Sequence, residues 1–144
     1  MQDGIEVTTQ LACERLLLRV AWLTDHGPQI DIASLYTADG EFDRDGVVTK
    51  GRAAIAEMYA RRSPSLFTRH LISNFQVVEV TADTARCRSM AAVYRFRSTE
   101  GGAPVPPVAL SGPEAVTEYD DTLVRTDQGW RLAKRVLRTV VEFK

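Results

Sequence analysis

Asp25 and His70 are the two residues whose types and positions best fit acid–base chemistry. Asp25 closes an i, i+3, i+4, i+7 pattern, the spacing of one side of a helix. The three apolar positions of that pattern are Leu18, Ala21 and Trp22. A carboxylate at the end of an apolar face is desolvated unless it has a partner, and desolvation raises its pKa towards that of a base. A solvent-facing acid at a frayed helix end fits the same spacing.

His70 lies early in a run rich in Val, Ile, Phe and Thr, a composition typical of a strand. Alternation along a strand places it on the same face as Thr68 and Ile72. An imidazole inside a sheet concavity and beside a carboxylate has its tautomer fixed and can act as a general base near neutral pH. The alternative is a core histidine held by one hydrogen bond. His26, the only other histidine, follows the first helix and is expected at the surface.

Arginine is the residue type that could stabilise negative charge on a substrate, because a guanidinium within a cavity can hold an anion or an enolate oxygen. Near the end of the chain, Arg135 and Arg138 are the candidates for that role. Four more arginines alternate along one predicted strand, a pattern typical of a solvated face or of an edge that resists strand pairing. They are Arg86, Arg88, Arg95 and Arg97.

No motif for a metal or a nucleotide cofactor occurs in the sequence. Two histidines and two isolated cysteines, Cys13 and Cys87, leave too few ligands at a workable spacing for a metal site. Neither cysteine has a C-x-x-C partner, so both are expected to be reduced thiols in the core. Glycine-rich phosphate loops and the G-x-S-x-G motif are also absent. The expected chemistry therefore uses no cofactor.

Composition bounds the class of protein. With 144 residues, 44% hydrophobic and 26% charged, the chain is expected to fold as one domain over 1–144. Lys and Arg (18) nearly balance Asp and Glu (19), which removes the electrostatic motive for binding nucleic acid or an anionic membrane. The absence of a membrane-length apolar stretch and of an N-terminal export signal predicts a cytoplasmic protein.

Helical patterns occupy the first half of the chain and strand patterns the second. Helices are predicted over 9–25, 29–36 and 51–62. Ala38-Asp39-Gly40 is assigned to a turn, and 41–50 to a hairpin turning on Asp45-Gly46. Strands are predicted over 66–80, 84–98, 115–126 and 130–143. Their short connections indicate an antiparallel meander, and the whole an α+β domain with a pocket inside a cone. The segment 101–113, with three Gly and four Pro, is expected to be a loop and a candidate lid.

Four stretches occur in a characteristic order along nearly the whole chain. They are the helix ending in Asp25, residues 35–42 followed by 50–52, residues 69–74, and residues 119–123 leading to 129–135. In order and spacing they resemble the NTF2-like superfamily, specifically its SnoaL-like branch. The resemblance implies a cystatin-like cone, with three N-terminal helices packed on a strongly curved mixed or antiparallel sheet. The nearest likeness is to the group of scytalone dehydratase, bile-acid dehydratases and hexachlorocyclohexane dehydrochlorinase.

That group implies roles for particular residues. Its enzymes pair an Asp at the end of the first helix with a His on the first long strand, and Asp25 and His70 fall on those positions. The dehydrochlorinase also uses an Arg five residues after a Trp of the last strand, which corresponds here to Arg135. The tyrosine that several relatives carry at or just before the Asp is missing. A phenol from elsewhere could replace it, the candidates being Tyr59, Tyr94 and Tyr119.

The prediction is therefore a cofactor-independent lyase or isomerase acting on a hydrophobic, cyclic small molecule. His70 would abstract a proton, Asp25 would orient the imidazole, and Arg135 would stabilise negative charge. Six apolar or aromatic side chains are candidates for the substrate-binding walls, although ordinary core packing explains them equally well. They are Trp22, Phe42, Met58, Tyr59, Met90 and Tyr119.

Two other functions stay open at this point. One is a polyketide-cyclase-like or ketosteroid-isomerase-like enzyme in which a sheet acid such as Asp121 is the base. The other is a non-catalytic protein, either ligand-binding or similar to the β subunit of ring-hydroxylating dioxygenases. A homo-oligomer, dimer or trimer, is expected from the resemblance alone.

Overall fold

The first helix ends where the sequence predicts. In the computed structural model, which describes residues 5–144, α1 spans Val7–His26. The N–H of Gly27 donates to the carbonyl of Leu23, and Gly27 adopts a φ of 72°, which glycine accepts readily. The prediction that the N-terminus carries no export signal concerns residues 1–4 among others, and these lie outside the described residues. Within 5–144, no helix is both long and apolar enough to cross a lipid bilayer.

The hairpin begins earlier than the sequence indicates. A 3-10 helix (Gln29–Leu35) leads into β1 (Tyr36–Arg44) and β2 (Val47–Lys50), which turn on Asp45-Gly46 as expected. The assignment of Ala38-Asp39-Gly40 to a turn is wrong, because these residues lie within β1. The pairing of β1 with the last strand shifts register between Tyr36 and Glu41. Such an irregularity accommodates turn-forming residues inside a strand.

The remaining elements are α2 (Arg52–Ala60), β3 (Leu66–Val80), β4 (Thr84–Arg97), β5 (Ala115–Thr126) and β6 (Gly129–Glu142). The long strands begin and end within a residue of their predicted bounds. One sheet holds all the strands in the order β2-β1-β6-β5-β4-β3. The predicted antiparallel meander from β3 to β6 is confirmed, whereas β1 pairs with β6 in parallel and makes the sheet mixed.

Two apolar clusters fill the space between the helices and the concave face of the sheet. The larger cluster joins α1, the 3-10 helix and α2 to the sheet through fully buried side chains such as Ile32, Ile55 and Leu132. The smaller cluster groups Ala91 and Val93 of β4 with Tyr119 of β5. Packing of α1 against β3 brings the C-terminal end of the helix to the first residues of the strand. The α+β class, with helices on a curved sheet, is confirmed.

Candidate functional site

Asp25 and His70 are in direct contact. His70 Nδ1 lies 2.6 Å from Asp25 Oδ1, and the His70 backbone N–H donates to Asp25 Oδ2 at 2.7 Å. Thr68 Oγ1 donates to Asp25 Oδ1 at 2.8 Å and accepts from Arg62 Nη2 at the same distance. One carboxylate at the end of α1 therefore holds both the backbone and the ring of a histidine on β3.

The contact with Asp25 leaves one nitrogen of the ring available. Among residues 5–144, His70 Nε2 has no hydrogen-bond partner, and the His70 side chain, 13% exposed, lines a cavity. Burial alone would raise the pKa of Asp25, but the hydrogen bonds and charge of His70 and the hydroxyl of Thr68 lower it below its ordinary value. Asp25 is thus a carboxylate that favours a proton on Nδ1. Nε2 is then the nitrogen that can accept a proton from a bound molecule.

Some of the residues predicted to bind substrate line a cavity beside His70. A cavity of about 440 Å³ lies between the ends of α1 and α2 and the concave face of the sheet, a volume within the range of small-molecule sites. Three of the predicted substrate-binding residues line it: Met58, Tyr59 and Tyr119. Tyr59 and Tyr119 place two phenols in the same cavity as His70. Tyr94, the third candidate phenol, is not among the lining residues.

Three predicted wall residues lie elsewhere. Trp22 is 58% exposed and stacks on His26, which is at the surface as expected. Phe42 is buried in the larger apolar cluster. Met90 alternates with the inward-facing Ala91 and is not among the cavity-lining residues. The expectation of a substrate-binding wall is therefore corrected for Trp22, Phe42 and Met90.

The reason for expecting Asp25 to be buried also needs correction. Leu18 and Trp22 of the proposed apolar face are exposed, so that side of α1 does not point into the core. The buried stripe runs instead through Cys13, Leu16, Val20 and Leu23. Asp25 is only 6% exposed because β3 crosses the end of the helix and encloses the carboxylate.

Arg135 does not reach the cavity. Its Nε and Nη2 donate to the two oxygens of Asp121 at 2.8 and 2.9 Å, and its guanidinium lies over the ring of Tyr119. Burial alone would lower the pKa of Arg135, but the charge of Asp121 and its hydrogen bonds raise it well above the ordinary value. The expectation that Arg135 contacts a substrate directly is corrected: it neutralises Asp121 and supports a tyrosine of the cavity wall. The same ion pair occupies both oxygens of Asp121, the base of the alternative hypothesis, and Asp121 is fully buried.

The arginines of β4 divide between the two faces of the sheet. Arg86 binds Asp120 with two nitrogens, away from the cavity, whereas Arg95 and Arg97 line it. The sequence contains this signal, since Arg88 and Arg95 are an odd number of positions apart and therefore face opposite sides of a continuous strand. Three further lining arginines were not singled out from the sequence. They are Arg44, Arg61 and Arg62.

Two other sequence features lie away from this cavity. Cys13 and Cys87 are buried free thiols in the core, as expected. The loop 101–113 borders a separate depression beside Phe96 and Arg97, and none of its residues lines the cavity. Within the described part of the chain, no three His, Cys, Asp or Glu side chains form a group that could hold a metal ion.

The SnoaL-like domain family matches residues 6–136, nearly the whole chain. No curated protein is similar enough in sequence to count as a match.

Three solved structures illustrate the likeness of fold. A protein of unknown function from Mycobacterium tuberculosis is 27% identical with a TM-score of 0.77, the match covering 94% of this chain and 78% of that one. An NTF2-like protein with a cystatin-like fold from Novosphingobium aromaticivorans is 26% identical with a TM-score of 0.69, covering 95% and 92%. A protein provisionally named scytalone dehydratase, from the same organism, is 21% identical with a TM-score of 0.74, covering 96% and 89%, and shows likeness of fold.

Proposed function

Because the chain belongs to the SnoaL-like family, we propose that it is a cofactor-independent lyase or isomerase in which His70 removes a proton from a cyclic small molecule. The observation that carries the proposal is the 2.6 Å contact between His70 Nδ1 and Asp25 at the wall of a cavity. A histidine whose Nδ1 is held by a carboxylate is oriented and keeps its Nε2 lone pair for the substrate.

In an elimination, His70 Nε2 takes a proton from a carbon next to a carbonyl group. The electrons of that C–H bond form a carbon–carbon double bond, and the bond from the neighbouring carbon to a hydroxyl group breaks. The departing hydroxide takes the proton back from His70 Nε2 and leaves as water, which returns the imidazole to its neutral form. Asp25 stabilises the imidazolium formed in the first step, as a carboxylate does in other His–carboxylate pairs.

The two phenols of the cavity can act on the oxygen side of the reaction. Tyr59 and Tyr119 line the same cavity as His70. Burial raises the pKa of Tyr59, so its hydroxyl keeps its proton at neutral pH and serves as a hydrogen-bond donor. A donor at the substrate carbonyl stabilises the negative charge that develops there when the proton leaves. These phenols supply the donor that the sequence lacks beside Asp25.

The other two functions receive less support from the geometry. Asp121 is fully buried and both of its oxygens bind Arg135, which leaves it no path to a substrate as a base. A protein that only binds a ligand has no need for a carboxylate held against a cavity histidine. The proton-abstraction chemistry is shared by dehydratases and isomerases, and the reaction catalysed depends on whether the substrate carries a leaving group.

The experiment is a turnover assay on a panel of bicyclic β-hydroxyketones, whose dehydration produces a conjugated enone that absorbs in the ultraviolet. Deuterium incorporation next to the carbonyl, measured by NMR in D2O, detects proton abstraction where no group leaves. We expect His70→Ala to lower the rate by about 10²–10⁴-fold, since this is the usual contribution of a general base. Asp25→Asn is expected to lower it in the same direction.

The matched control is His26→Ala, which removes the surface histidine and should leave the rate unchanged. Circular dichroism checks that every variant is folded. Full activity in folded His70→Ala would contradict the proposal. Equal losses in His26→Ala and His70→Ala would show that the effect does not arise at the cavity.

A further inference from the structure

Guanidinium groups from three parts of the chain converge on the cavity. Arg44 ends β1, Arg62 follows α2, and Arg95 lies near the end of β4. All three line the cavity together with His70. Besides burial, the positive charges of Arg97, Arg44 and Arg62 lower the pKa of Arg95, so these side chains lie close enough to repel one another. We refer to Arg44, Arg62 and Arg95 as the arginine cluster.

The acidic residues of the described chain neutralise this cluster only in part. Arg95 pairs with Glu114, which Arg97 also approaches. Asp45 lines the cavity too, but both of its oxygens bind Thr139. Of the arginine cluster, Arg95 is therefore the member that pairs with a carboxylate.

Two members of the cluster keep their charge for a ligand. Among residues 5–144, neither Arg44 nor Arg62 forms a direct ion pair with a carboxylate. The charge of Asp25 acts on Arg62 across the hydroxyl of Thr68, and that of Asp45 acts on Arg44 without a hydrogen bond between them. Arg62 donates to Thr68 Oγ1, and the guanidinium of Arg44 lies 5.1 Å from the ring centre of Phe42. Positive charges gathered in a half-enclosed cavity repel one another and favour an anion between them.

We propose that the cavity binds a cyclic organic acid whose carboxylate lies between Arg44 and Arg62. Planar guanidinium groups match the geometry of a carboxylate. The apolar body of the acid would contact Met58, Val93 and Leu137, which line the same cavity. This inference deepens the proposed function and rests on it, because the same cavity presents the His70 base. It adds a negative charge to the hydrophobic, cyclic molecule that the sequence predicts as substrate.

The position of the carboxylate has a consequence for the reaction. Arg62 contacts Thr68, which contacts Asp25, so a carboxylate bound to Arg62 is anchored beside the residues that hold His70. An anchor at one point and an apolar wall at another fix which carbon of the ring faces Nε2. The arginine cluster is thereby assigned to binding and orientation, and His70 to proton transfer.

The test compares matched acids and amides by isothermal titration calorimetry. The probes are benzoate against benzamide and 2-naphthoate against 2-naphthamide, which differ in charge at nearly constant shape. We expect at least one acid to bind the wild-type protein roughly tenfold or more tightly than its amide, as for a charge-assisted hydrogen bond. Arg44→Gln and Arg62→Gln should each remove most of that preference and leave amide binding unchanged.

Arg61→Gln is the matched control, because Arg61 lines the same cavity but is largely exposed and pairs with Glu57. It should keep most of the preference for the acid. Arg44→Lys and Arg62→Lys keep the positive charge but remove the planar guanidinium, so each should lose part of the preference for the acid. Because the charge is kept, these variants also cover the case in which Arg44→Gln or Arg62→Gln does not fold. Thermal melting checks every variant.

Equal affinity for acids and amides, no binding of either acid at millimolar concentration, or equal losses in Arg61→Gln and Arg62→Gln would overturn the inference. His70→Ala separates it from the proposed function, because this variant should keep the preference for the acid. A preference for the acid in a wild-type protein that shows no turnover would support the binding site and contradict the catalytic proposal. Turnover that needs His70, with amides bound as tightly as acids, would do the reverse.

Discussion

Two buried carboxylates of this fold have basic partners, and the two pairs differ in what they leave free. Asp25 lies at the end of α1 and binds His70, whereas Asp121 lies on β5 and binds Arg135 of β6. Asp121 is fully buried and binds Arg135 with both oxygens, so the pair is closed. The Asp25–His70 contact is shorter, 2.6 Å against 2.8 and 2.9 Å, yet His70 lines the cavity and its Nε2 has no hydrogen-bond partner within residues 5–144.

This difference teaches that a buried acid–base pair is not by itself a site. In the Asp121–Arg135 pair, two charges inside the sheet neutralise each other, and the guanidinium packs on the ring of Tyr119, which lines the cavity. In the Asp25–His70 pair, the carboxylate favours a proton on Nδ1, which leaves Nε2 of a cavity-lining histidine as the proton acceptor. Both carboxylates have a basic partner, but only in the Asp25–His70 pair does that partner line the cavity.

The largest expected effect on stability is at the closed pair. Replacing Arg135 with methionine leaves the Asp121 carboxylate buried without a partner, which should lower the free energy of unfolding by about 3–5 kcal/mol. His70→Ala should cost less, about 1–3 kcal/mol, because Asp25 keeps its hydrogen bonds from Thr68 and from the backbone of residue 70. Urea unfolding of both variants measures the difference.

Two controls belong to that comparison. Arg138→Met removes an exposed arginine of the same strand, paired with Asp43, and should cost far less than Arg135→Met. The double variant Asp121→Leu with Arg135→Met removes both charges and should recover much of the loss. If His70→Ala destabilises the protein as much as Arg135→Met does, the two pairs are alike in stability and the proposed contrast is wrong.

The sequence predicts the elements better than the faces. The long strands depend on local composition, and their bounds agree with the structure. The burial of Asp25 depends on β3 crossing the end of α1, a tertiary contact that no helical spacing reports. For the same reason, helical spacing predicts Trp22 in the substrate-binding wall although it lies at the surface.

The cavity shows a second kind of limit. His70 and Asp25 could be identified because their positions match those of a known group, and Tyr59 and Tyr119 as candidate phenols. Arg44 ends β1 and Arg62 follows α2, and only the closure of the fold brings them to one cavity. The role of Arg135 depends on its neighbour across the β5–β6 ladder, where it pairs with Asp121.

The smallest expected effect is on the free energy of unfolding at low pH. Hydrogen bonds and the charge of His70 lower the folded-state pKa of Asp25 below its ordinary value of 3.8, despite burial. Between the two values the unfolded chain binds more protons, so the stability from Asp25 rises with pH there. That contribution is fully present above the unfolded-state value and is lost as the pH falls through the folded-state value.

Comparing wild type with Asp25→Asn isolates this contribution, because other carboxylates with pKa values lowered by hydrogen bonds, such as Asp43 and Asp120, are present in both proteins. Urea unfolding across the acidic range should show a difference between the two proteins that shrinks as the pH falls through that window. A difference that grows as the pH falls would mean that the carboxylate is not stabilised in the folded protein.

The most direct test of the contrast is the protonation of the two nitrogens of His70. Long-range nitrogen–proton NMR correlations distinguish a protonated ring nitrogen from an unprotonated one. With the ring neutral, we predict a proton on Nδ1, bound to Asp25, and an unprotonated Nε2 facing the cavity, with this preference lost in Asp25→Asn. A proton on Nε2 in the wild-type protein, or the same tautomer in Asp25→Asn, would contradict the account of His70 as a base positioned by Asp25.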